Sequence, residues 1–148
     1  MTEANTLLLK ANLKQLRLPT MHAEFAALAR EAATANENYE QYLLRLTELE
    51  VAARSSKAVQ TRIRQAGFPV AKDFDTFDFN CVPHLSKPKV LELARGEWIE
   101  QKSNVCLVGS PGTGKTHLAT ALGLAACRQG KRVRFFSCLL YTSDAADE

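Results

Sequence analysis

The chain concentrates its chemistry in eight residues, Gly109, Ser110, Pro111, Gly112, Thr113, Gly114, Lys115 and Thr116, which read G-S-P-G-T-G-K-T. They satisfy the phosphate-cradling pattern G-x-x-x-x-G-K-[ST], the Walker A or P-loop pattern, at every specified position. The three glycines permit backbone turns that a Cβ resists, and so bring successive N–H groups toward phosphate oxygens. Pro111 contributes no N–H but stiffens the loop. Lys115 offers a compact positive charge for β- and γ-phosphates, and the Thr116 hydroxyl is the expected inner ligand of Mg²⁺. His117 completes the candidate nucleotide-binding set. With no Ser or Cys partner nearby, it reads as a capping or packing group rather than a catalytic base.

Such a loop works only if the flanking elements hold it. An apolar run at 105–108 precedes it, a helix is expected from about 114 to 129 with Gly130 as its stop, and a second apolar run follows at 133–136. Strand, glycine loop, helix, strand is a βαβ unit and predicts a parallel sheet in an α/β fold. The open N-terminus of the helix adds unpaired N–H groups and its dipole. Hydrolysis demands more: a second strand ending in an acidic residue that holds Mg²⁺ and positions water. Asp144, Asp147 and Glu148 are acidic, but no four-residue apolar run leads into any of them, so 138–148 is not that motif.

Upstream the texture is helical. Leu9, Leu13 and Leu16 recur at helical spacing until Pro19 stops the first helix, and Thr20 is the expected cap of a second helix that carries Phe25, Leu28 and Ala32. Asn38 and Gln41 have the form of a capping box for a third helix, with Tyr42, Leu46 and Leu49 on its apolar stripe and Gly67 and Pro69 at its end. Residues 1–67 thus read as a helical module. Residues 68–88, with three prolines and alternating Asp and Phe, read as linker and domain entry, and 89–137 as the start of the domain that holds the loop. A helix over about 88–102 is expected to carry Leu91, Ala94 and Trp98 and to weaken at Gly96. Phe74, Phe77 and Phe79 read as core anchors.

The net charge is +3, too small to decide anything alone, but Arg54, Lys57, Arg62, Arg64 and Lys72 stand in a stretch without Asp or Glu. Arg54, Lys57, Arg62 and Arg64 are candidate DNA contacts; the alternative is the solvated side of a helix. Cys81, Cys106, Cys127 and Cys138 form no C-x-x-C pair, which argues against a zinc site or a disulfide framework. No apolar run approaches the roughly 20 residues a bilayer needs, and the start lacks the order of a signal peptide, so a cytoplasmic protein with no membrane partner is expected.

The segment NVCLVGSPGTGKTHLATALGLAACRQGKRVRFF, with FDTFDFN and the helical module before it, resembles the IstB-like ATP-binding proteins of bacterial insertion sequences, relatives of DnaC-type helicase loaders within the AAA+ class. The resemblance implies a helical module followed by an incomplete P-loop (AAA+) three-layer α/β domain. It implies ATP and Mg²⁺ as cofactors held through Lys115 and Thr116, with the Phe77 to Phe79 segment near the adenine. It also implies a transposition helper that assembles on DNA as a homo-oligomer and works with a transposase. The tail LLYTSDAADE departs from the family's pattern and looks like read-through into a sequencing adaptor, so 138–148 is expected to be non-native and hydrolysis by this chain is not expected. The alternatives are a DnaC-like helicase loader, a small P-loop kinase, and a helical DNA-binding module with a vestigial nucleotide site. The long module ahead of the loop disfavours the kinase.

Overall fold

A computed structural model describes residues 3–137. The tail at 138–148, Cys138 included, lies outside them. Six helices follow in order: α1 (Glu3–Gln15), α2 (Pro19–Thr34), α3 (Tyr39–Ala66), α4 (Lys87–Ala94), α5 (Glu97–Glu100) and α6 (Lys115–Arg128), with one 3₁₀ turn at Phe79–Cys81. The chain divides into two compact units, Met1–Ala58 and Val59–Glu148.

In the first unit Leu13, Met21, Phe25, Leu28 and Leu46 form the buried core, with Leu9, Leu18 and Tyr42 packed on it. The turn between α1 and α2 is a left-handed helix stop. Arg17 takes φ 57°, the Leu18 amide donates to the Leu13 carbonyl at 3.0 Å and the Arg17 amide to Lys14 at 3.1 Å, while the Leu18 and Leu13 side chains meet in the core. Asn36 does the same for α2 at φ 55°, with Glu37 N donating to Ala32 at 2.9 Å. The capping box of α3 is present in both directions: Asn38 Oδ1 accepts from Gln41 N at 2.8 Å, and Gln41 Oε1 accepts from Asn38 N at 3.1 Å.

Thr20 does not cap α2. The helix begins at Pro19, and its N-cap is Leu18, which has no side-chain oxygen to offer. The missing acceptor is supplied by Glu50 of α3, whose Oε2 accepts from Thr20 N at 2.8 Å and Met21 N at 3.0 Å. Glu50 is 3% exposed. Its other oxygen accepts from Arg54 Nε at 3.2 Å, and Arg54 also donates to the Arg17 carbonyl. A buried carboxylate is tolerated because both oxygens are partnered.

In the second unit α6 is the buried element, with Leu118, Thr120, Ala121, Leu122, Leu124, Ala126 and Cys127 all inside. Phe77, Val90 and Leu118 form a core cluster against which Phe74, Phe79, Val82, Leu85 and Leu107 pack. The helix expected over 88–102 is broken in two by Gly96 at φ 79°; a side chain there would also meet Gln129 Oε1 at 2.7 Å. Gln129 in turn donates to the Ala94 carbonyl at 2.7 Å, tying the end of α6 to the end of α4.

The expected α/β class, with a three-layer P-loop domain, is overturned. Helix makes up 64% of the described residues and none of them is in a strand. The runs at 105–108 and 133–136 are extended, and their exposure alternates residue by residue as a strand's would. What they lack is a ladder. Both border an apolar cavity of about 420 Å³ with Phe68, Trp98 and Leu122, but among the described residues no backbone hydrogen bond joins them. The second run docks instead on a helix end, through Phe135 N to the Ala66 carbonyl at 2.8 Å. Local sequence favours the extended conformation, but a strand exists only where another backbone pairs with it.

Candidate functional site

The glycine loop joins the extended run to α6. Gly112 (φ 80°) and Gly114 (φ 83°) both sit in the left-handed region that their lack of a Cβ makes accessible. At Gly114 a second constraint applies: a Cβ would lie 2.7 Å from Phe77 Cε2. Gly114 is the N-cap of α6 and has no side chain to close it; its carbonyl accepts from Leu118 N at 2.9 Å. The amides of Lys115, Thr116 and His117 therefore begin the helix without partners among the described residues, and the dipole of a fourteen-residue helix adds to them.

Lys115 Nζ donates to the carbonyls of Gly109 at 2.8 Å and Ser110 at 2.7 Å. Thr113 Oγ1 donates to the Ser110 carbonyl at 2.8 Å. The loop carbonyls thus converge on an ammonium group inside the turn. The Thr116 side chain is exposed, and no Asp or Glu lies between Val108 and Glu148 before Asp144 in sequence. Among the described residues no group of His, Cys, Asp and Glu is arranged to hold a metal by itself.

The His117 ring is held on one side by residues 73–77. Its Nε2 lies 2.8 Å from the Asp73 carbonyl and 3.3 Å from Thr76 Oγ1, and the ring stands edge-on to Phe77 at 5.1 Å between centroids. Phe77 stacks edge-on with Phe79 at 4.8 Å. Asp73 is also paired with Arg128 at 3.8 Å. Residues 73–79 therefore brace the start of α6 from one side, through histidine and phenylalanine. Sequence reasoning took these aromatics as core anchors without seeing that one of them sits against the loop's last glycine.

The basic candidates divide between the two units. Arg54, with Lys57 in the first unit, is committed to Glu50 and the Arg17 carbonyl. Arg62 and Arg64 belong to the second unit. Arg62 is half-buried beside Arg132 and Arg134, two residues the sequence reading did not single out, whereas Arg64 is exposed. The signal that could have found them was the KRVR segment just after Gly130.

The family described as IstB-like ATP binding protein matches residues 11–143. The chain belongs to that family. It is 36% identical over 123 residues to a Geobacillus stearothermophilus protein named for ATP binding in insertion sequence IS5376, an alignment that covers 83% of this chain and 49% of that relative. The corresponding protein of insertion sequence IS21 in Pseudomonas aeruginosa is 35% identical over 127 residues, 86% of this chain and 48% of the relative. An insertion-sequence protein of Mycobacterium tuberculosis, Rv3427c, is 34% identical over 138 residues, 93% of this chain and 55% of the relative. The chain spans about half the length of the curated relatives it matches. No helix among the described residues is long and apolar enough to cross a membrane.

Proposed function

We propose that this IstB-like chain binds ATP through Gly109, Ser110, Pro111, Gly112, Thr113, Gly114, Lys115, Thr116 and His117, and serves within its whole protein as a transposition helper. The observation that carries the reading is the junction at Gly114. Two left-handed glycines deliver the chain directly into α6, whose first amides point away from their own helix beside a lysine already seated in the loop. This is the arrangement that favours an anion at a helix N-terminus.

The residues fit a nucleotide bound with Mg²⁺. When bound, the nucleotide would supply a triphosphate as an anionic hydrogen-bond acceptor, and Mg²⁺ would offset part of its charge. The backbone amides at 112–117 are the expected donors. Lys115 exchanges two neutral carbonyl acceptors for anionic ones, a stronger charge-assisted contact. Thr116, exposed at the first turn, is the expected Mg²⁺ ligand. His117 contributes its backbone amide, while its imidazole, engaged with Asp73 and Phe77, orients the turn.

Assembly on DNA and work with a transposase are part of the same reading, supported by the insertion-sequence relatives. So is self-association, for which exposed Leu43, Leu44 and Val51 supply apolar surface. Such a function belongs in the cytoplasm. The test is a titration of a fluorescent ATP analogue with Mg²⁺ against the chain and Lys115→Ala. Losing a charge-assisted contact of about 1.5–3 kcal/mol should weaken binding roughly 10- to 150-fold, with an unchanged far-UV spectrum. Equal affinities in the two proteins would sink the reading. Stimulation of nucleotide binding by duplex DNA supports the helper role, whereas phosphate transfer to a nucleoside contradicts it.

A further inference from the structure

Arg62, Gln65, Arg132, Val133 and Arg134 line a polar recess of about 440 Å³ in the second unit. Three of the five are arginines and none is acidic. Among the described residues none of the three arginines has an ion-pair partner. The recess shares no residue with the glycine loop.

The backbone brings these charges together. Phe135 N donates to the Ala66 carbonyl at 2.8 Å, and the Phe135 ring meets Phe68 edge-on at 5.9 Å, so the extended run is fastened to the last turn of α3. Arg62 lies about one helical turn before Ala66. Along this stretch Val133 and Phe135 are half-buried while Arg132 and Arg134 are exposed, the two-residue alternation of extended chain, and Arg132, Val133 and Arg134 border the apolar cavity as well as the recess. Like charges gathered without a counter-charge gain when a polyanion arrives.

We propose that this recess is a phosphodiester-binding notch that grips the backbone of duplex DNA. The inference rests on the reading that the whole protein assembles on DNA, and it names where this chain would make the contact. Guanidinium forks match phosphate oxygens in plane and in hydrogen-bond number. Gln65 adds a neutral amide donor. Among the described residues no aromatic side chain lines the recess to stack on an unpaired base, which favours a duplex over a single strand or a mononucleotide. Contacts of this kind hold and orient DNA without reading its sequence.

The test follows the anisotropy of a short fluorescein-labelled duplex bound by the full chain at several salt concentrations, for the wild type and for Arg62→Gln with Arg132→Gln and Arg134→Gln. Each phosphate contact contributes about 0.9 to the slope of log affinity against log salt, so the triple variant should lose about 2–3 units of slope and about tenfold or more in affinity at low salt. Its binding of the ATP analogue should be unchanged. Arg132→Lys with Arg134→Lys should retain most of the slope. If the triple variant fails to fold by far-UV circular dichroism, Arg132→Gln with Arg134→Gln, both at exposed positions, should lose about 2 units. An unchanged slope in the folded variant overturns the notch alone. A wild type that binds no duplex overturns the DNA reading and the notch together, and an oligo-dT competitor as effective as the duplex overturns the choice of ligand.

Discussion

The edge of the Phe77 ring stands 2.7 Å from where a Cβ on Gly114 would be. A packed aromatic thereby dictates the residue type at the mouth of the glycine loop, independently of any ligand. Gly114 also holds φ 83°, so Gly114→Ala meets two separate penalties. The left-handed backbone costs about 1–2 kcal/mol, and the overlap costs about 1–3 kcal/mol. Urea unfolding should show their sum in the wild-type background and only the backbone part once Phe77→Leu has withdrawn the ring edge. Identical losses in the two backgrounds would mean that the ring yields freely.

Gly123 reverses a familiar rule. Alanine in place of an interior helical glycine usually gains about 1 kcal/mol, and Gly123 lies inside α6. Here the new methyl would meet Phe68 Cε1 and Cζ at 2.8 Å. Gly123→Ala should therefore destabilise the chain, yet stabilise a Phe68→Leu variant. A gain in both backgrounds would show that Phe68 can move aside at no cost.

Acid should loosen the first unit through Glu50. Burial pushes its carboxyl upward, but the amides of Met21 and Thr20 and the Arg54 guanidinium outweigh it, and the net shift is downward from the usual carboxylate value. A group whose folded pKa is depressed stabilises above its unfolded pKa, and that contribution fades as pH falls through the lower folded value. Melting temperature should drop on acidification below the ordinary carboxylate range, and Glu50→Gln should be less stable at neutral pH with a flatter acid limb. An acid limb of equal steepness in both proteins would assign the sensitivity to other carboxylates.

Cys81 offers a chemical readout beside the bracing segment. Its thiol donates to Asp78 Oδ2 at 3.2 Å, and that bond, followed by the Asp78 charge, raises the thiol's pKa above its usual value. Alkylation proceeds through the thiolate. Cys81 should react slowly with iodoacetamide at mildly alkaline pH despite its exposure, and Asp78→Asn should accelerate it. Peptide mapping distinguishes it from exposed Cys106 and buried Cys127. No acceleration in the variant would remove Asp78 as the cause.

What could be read in the sequence was what neighbours along the chain decide. The capping box at Asn38 and Gln41, the stop at Gly130 and the break threatened at Gly96 involve residues within a turn or two of each other, and all are present. The glycine loop was visible because its chemistry is spelled out in eight consecutive positions. What could not be read was decided at a distance. Glu50 reaches back thirty residues to the first free amides of α2, a capping role that the local rule had assigned to Thr20. Phe77 reaches Gly114 from within a segment read as linker and domain entry. The two segments were recognised as short apolar runs on either side of the loop and helix, but pairing is a property of two segments, and among the described residues these two do not pair.

The extended run that carries Arg132 and Arg134 is held to α3 by a single backbone bond, from Phe135 N to the Ala66 carbonyl. A paired strand would protect every second amide from deuterium, whereas among the described residues this run has one bonded amide, that of Phe135. Exchange at Phe135 then reports the lifetime of the attachment itself, because the amide is released only when the run lifts from the helix end.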